Sequence, residues 1–65
     1  MMLEIRYTTK NSHGYMIIDK EFVIRKVKKF KRLFKGCEFI IWERDEERPY
    51  LVAQQYNSFD ELVKL

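Results

Sequence analysis

The sequence predicts an α+β domain: a four-stranded sheet with one long helix on one face, ordered β-β-α-β-β, followed by a short C-terminal helix. Three observations carry this. The chain opens on an alternating segment, Leu3-Glu4-Ile5-Arg6-Tyr7-Thr8. It then changes to a helical period between Asp19 and Gly36, and closes with two further apolar runs separated by a polar, proline-containing loop. A period of two marks a half-buried strand, and apolar residues at i, i+4, i+7 and i+11 mark one face of a helix.

Each element follows from its residues. Leu3, Ile5 and Tyr7 share one side of the first strand, with Glu4, Arg6 and Thr8 on the other. Lys10-Asn11-Ser12-His13-Gly14 has turn composition, with Asn and Gly suited to positive φ. Tyr15–Ile18 is a short apolar run that pairs with the first strand as a hairpin. Asp19 suits a helix N-cap, and Glu21 adds negative charge to the first turn. Val23, Val27, Phe30 and Phe34 then form one apolar stripe, flanked by Ile24 and Leu33, over a predicted helix at roughly 20–35. Gly36 stands where a left-handed residue ends a helix. Glu38–Arg44 reads as the third strand, Asp45–Pro49 as a loop, and Tyr50–Tyr56 as the fourth strand. Pro49 is compatible with a strand's first residue and not with its middle. Ser58-Phe59-Asp60-Glu61 matches the S-x-x-E capping box and opens a short helix. Two sheet orders stay open: β-grasp-like, with first and last strands side by side, or a meander.

Sixty-five residues leave room for one core, so residues 1–65 are expected to form a single domain. Hydrophobic content of 46% and aromatic content of 15% are those of a folding chain. One cysteine excludes an intrachain disulfide. With no basic n-region or apolar h-region in MMLEIRYTT, the expected compartment is cytoplasmic. No apolar run exceeds four residues, as at Tyr15–Ile18 and Phe39–Trp42. No membrane association is expected from them.

The composition argues against an enzyme. His13 lies alone in a turn. Cys37 follows a helix C-terminus, which disfavours a thiolate. One Cys and one His do not make a zinc framework, and Asp45-Glu46-Glu47 lacks the spaced ligands and glycine of a calcium loop. No phosphate-binding glycine loop is present. No catalytic residue, metal, cofactor or small-molecule substrate is therefore expected.

Charge carries the functional lead. Of thirteen basic residues, eight fall between Lys20 and Lys35, with Glu21 the one acid there. From Gly36 onward, three basic residues stand against seven acids. At about 100° per residue, Arg25, Lys28, Lys29, Arg32 and Lys35 lie opposite the apolar stripe, with Lys26 and Lys31 on its flanks. Like charges at i, i+4 repel by a few tenths of a kcal/mol per pair, and a purely structural helix would mix signs. The ridge Arg25, Lys28, Lys29, Lys31, Arg32 and Lys35 is thus the candidate contact for nucleic-acid phosphate. It holds no Asn or Gln and only two Arg, so sequence specificity should be weak.

A second lead is the sheet face away from the helix. Both sides of the strands carry large apolar residues, whereas a solvated face should be polar. The C-terminal helix, roughly 10 Å long, is the element available to cover that side. The uncovered remainder, assigned to Met16, Ile18, Ile40, Trp42 and Leu51, is a candidate protein or homodimer interface. The expected function is accordingly a small non-enzymatic accessory or interaction module, with the basic ridge and the apolar sheet face as alternative contact surfaces.

Overall fold

The computed structural model describes residues 1–64. The element order is β1 (Met2–Thr8), β2 (His13–Asp19), α1 (Lys20–Arg25), α2 (Val27–Leu33), β3 (Glu38–Arg44), β4 (Val52–Tyr56) and α3 (Phe59–Val63). The strands form one antiparallel sheet in the order β2-β1-β3-β4. The small α+β architecture is as the periodicity predicts. The strand order is neither of the two anticipated: β1 lies beside β3, so first and last strands are not adjacent, and the chain crosses β1 between β2 and β3. The helical segment makes that crossing, placing the two hairpins edge to edge along β1 and β3.

The core lies between the sheet and the helices. Leu3, Ile5, Val23, Phe30, Phe34, Ile41, Phe59 and Leu62 are buried. Ile5 stands opposite both Met16 and Ile41, which aligns one face of three strands beneath the helices. Phe59 sits among Phe30, Phe34 and Phe39, with ring centroids 6.0, 5.7 and 5.0 Å away.

Two expectations about the helices need correction. The single long helix over 20–35 is two short ones that meet at Lys26, whose φ of −117° and ψ of 28° leave the helical region. The Lys26 N–H is shared between the carbonyls of Phe22 and Val23, 3.1 Å from each. Three β-branched residues, Val23, Ile24 and Val27, surround the break and weaken the local helical preference. The apolar stripe survives it, because Val23, Phe30 and Phe34 are all buried. The second correction concerns α3. It packs beside α2, on the side already covered, through Phe59 and Leu62. The other sheet face therefore has no helix over it among the described residues.

The local capping signals form as the sequence predicts. The Asp19 Oδ1 accepts from the Glu21 and Phe22 N–H groups at 2.8 and 3.3 Å and caps α1. The Ser58 Oγ accepts from the Glu61 N–H at 3.1 Å, and Glu61 Oε2 reaches back to the Asn57 N–H at 2.7 Å. Gly36 has φ of 83°. Gly14, by contrast, belongs to β2 and has no positive φ. Its missing side chain makes room for Tyr7, whose hydroxyl would stand 2.8 Å from an added Cβ. The β1–β2 turn closes instead at Thr9 and Ser12, with the Thr9 N–H donating to the Ser12 carbonyl at 2.7 Å. Tyr50 and Leu51 precede β4 in a turn, where the Asp45 N–H donates to the Leu51 carbonyl at 3.1 Å.

Candidate nucleic-acid interface

The six ridge residues lie on one continuous stretch: Arg25 ends α1, Lys28, Lys29, Lys31 and Arg32 belong to α2, and Lys35 follows it. All six are exposed, as is Lys26 at the break. Burial of Val23, Phe30 and Phe34 turns the charged side of both helices outward. Lys31 is the one member of the six with a carboxylate partner among the described residues: its Nζ lies 2.9 and 3.2 Å from the two Asp60 oxygens. The acid comes from the first turn of α3, which docks beside α2. Arg25, Lys28, Lys29, Arg32 and Lys35 face solvent without such a partner among the described residues. Lys26 joins them; placing it beside the apolar stripe, as an unbroken helix requires, undercounts the ridge.

Lys20 belongs to the same basic segment and has a different fate. It starts α1, where its Nζ donates to Glu43 Oε1 at 2.7 Å, with side chains only 18% and 8% exposed. The Tyr56 hydroxyl donates to the same oxygen at 3.1 Å, and the Lys20 ammonium stands 5.7 Å from the Tyr56 ring centre. The Glu43 hydrogen bond, opposed by burial, raises the Lys20 pKa above its ordinary value.

The uncovered sheet face holds a cluster that spacing along the chain does not reveal. Glu4 stands opposite Trp42 across β1 and β3. The Arg6 and Arg44 guanidiniums lie 4.8 and 5.1 Å from the Trp42 ring centre, and both donate to Glu4. The Arg44 Nη2–Glu4 Oε1 distance is 2.8 Å. Glu4 is thereby buried on a face without a helix. Burial pushes its carboxyl pKa up, but the Arg6 and Arg44 hydrogen bonds outweigh this and hold it below the ordinary value. The Trp42 Nε1–H is buried without an acceptor among the described residues.

The membership of that face also needs correction. Ile40 and Trp42 are on it, half-buried. Met16 and Ile18 are not: they stand opposite Ile5 and Leu3 and pack against the core from beneath the helices. Tyr15 and Ile17 take their place on the open face, 62% and 60% exposed. Leu51 is exposed in the β3–β4 connection rather than in a strand. Tyr7 and Phe39 pack against the core on the helical side, whereas Tyr15 and Tyr50 are exposed. The alternation of Glu4 with Arg6 and of Trp42 with Arg44 was visible in the sequence. Which strand lies beside β1 was not, and that neighbour brings the four together.

His13 is exposed at the start of β2, and Cys37 is a half-buried free thiol entering β3. Among the described residues, no group of three or more His, Cys, Asp and Glu side chains converges, and no helix is long and apolar enough to cross a membrane. No protein-family model matches the chain, nor does any curated protein or solved structure.

Proposed function

We propose that this chain is a small non-enzymatic interaction module that contacts nucleic-acid phosphates through Arg25, Lys28, Lys29, Lys31, Arg32 and Lys35. The supporting observation is the contrast in pairing. Lys20, Arg6 and Arg44 are held by buried carboxylates, while five of the six ridge cations are exposed and free of carboxylates among the described residues. Cations left in this state release counterions from a polyanion when they bind it. Lysine acts there as a point charge, and only Arg25 and Arg32 offer a bidentate fork, so the contact favours backbone over base. The double variant Lys28→Glu/Arg32→Glu tests this. The native chain is expected to be retained on duplex DNA or RNA at low salt and the variant to elute unbound. Failure of the native chain to be retained contradicts the proposal.

A protein partner on the open sheet face is the second reading. It draws on the Trp42 Nε1–H, which has no acceptor among the described residues, and on the exposed Tyr15 and Ile17 of the same face.

A further inference from the structure

The two edges of the sheet are built differently. β4 is five residues long and joins β3 with a register shift at Glu43 and Arg44, a common protection against edge pairing. β2 is seven residues long, pairs with β1 in unbroken register, and has no proline and no charged residue between His13 and Asp19. None of these devices blocks its free edge.

Backbone alternation shows what that edge presents. Thr9–Ser12 and Lys20–Met1 are hydrogen-bonded at the two ends of the β1–β2 ladder, at 2.7 and 2.8 Å. Hydrogen-bonded and non-bonded pairs alternate in an antiparallel ladder. Gly14, Met16 and Ile18 therefore direct their backbone groups toward β1, and His13, Tyr15 and Ile17 direct theirs outward.

We infer that the β2 edge pairs with the β2 edge of a second copy of this chain, antiparallel and centred on Met16. This register overlaps the whole strand and sets outward-directed residues against each other. Tyr15 stands opposite Ile17 of the second copy, and Ile17 opposite its Tyr15. The result is two aromatic–β-branched pairs on the open face. His13 stands opposite Asp19 of the second copy, whose Oδ2 is not used in capping α1. The apolar character continues on the helical side, where exposed Leu33 and half-buried Met16 line one recess. The two-fold axis is perpendicular to the sheet, so both helical layers, and both basic ridges, lie on the same side of one continuous sheet. The pairing itself does not depend on nucleic-acid binding.

Sedimentation equilibrium of the full chain, from low micromolar to near-millimolar concentration, tests the inference. The expected result is a dimer that Ile17→Lys weakens about tenfold or more through loss of both cross-strand pairs, with an unchanged far-ultraviolet spectrum. A synthetic chain N-methylated at Ile17 provides the second test. It loses only an outward N–H, and is expected to fold and remain monomeric. Lys28→Glu/Arg32→Glu is expected to dimerise like the native chain, which separates this inference from the ridge. A native chain that is monomeric throughout, or a dimer unaffected by both Ile17 changes, overturns it.

Discussion

The basic ridge and the open sheet face both carry arginine, and they use it in opposite ways. On the sheet face, Arg6 and Arg44 lie against Trp42 and close over Glu4, so that charge, indole and carboxylate form one cluster. On the ridge, Arg25 and Arg32 project into solvent beside lysines, and the one ion pair there among the described residues joins Lys31 to Asp60. The difference shows that a basic net charge says little until the pairing of each cation is known. Lys20 makes the same point from within the basic segment, since Glu43 and Tyr56 draw it into the interior.

Cations held by buried carboxylates are therefore expected to matter for stability, and the exposed ridge cations are not. The largest effect is expected from Glu43→Gln, which leaves the Lys20 ammonium and Tyr56 hydroxyl without their carboxylate. Removing one partner of a buried pair costs roughly 3–5 kcal/mol. For a domain of this size that is most of the stability, and a urea titration should show a chain largely unfolded in water. A midpoint close to the native one would contradict the account of Lys20.

Next comes the dependence on pH. The folded Glu4 pKa lies below the ordinary value of 4.5, so its contribution is complete above that value and is lost as pH falls through the lower, folded value. The folded Lys20 pKa lies above the ordinary 10.5, so its contribution is complete below that value and is lost as pH rises through the higher, folded value. Melting temperature against pH should therefore fall at both extremes, and Glu4→Gln should flatten the acid limb while leaving the alkaline one. An unchanged acid limb would separate Glu4 from the stability of the open face.

The smallest effect is expected at the junction of ridge and acid. Lys31 and Asp60 are 50% and 73% exposed, and exposed pairs contribute about 0–1 kcal/mol. Asp60→Asn should scarcely move the denaturation midpoint, yet it frees Lys31. Nucleic-acid affinity at low salt should then rise, and weaker binding by this variant would count against the ridge.

How much of this was legible in the sequence follows from how far apart the deciding residues stand. The Asp19 cap, the Ser58–Glu61 box and the Gly36 backbone each depend on neighbours within a few positions, and all three were readable. Strand order was not, because the pairing of β1 with β3 joins residues nearly forty positions apart, as Glu4 and Trp42 show. The face of Met16 and Ile18 failed for a related reason. The run Tyr15-Met16-Ile17-Ile18 is apolar on both sides, so only its register against Leu3 and Ile5 decides which pair enters the core. The break at Lys26 was hidden by a stripe that continues through it. The exposure of the charged helix face was legible because it needs only the phase of the apolar stripe.

The salt dependence of nucleic-acid binding tests the ridge most directly. Binding constants for a short duplex should be measured over a range of salt for the native chain, Lys28→Glu/Arg32→Glu and Arg6→Gln. For the native chain, a log–log slope of about −0.9 per neutralised phosphate is expected. The slope should become shallower in the ridge variant and stay unchanged in Arg6→Gln, whose charge is held by Glu4. A slope that drops with Arg6→Gln while the ridge variant matches the native chain would contradict the assignment.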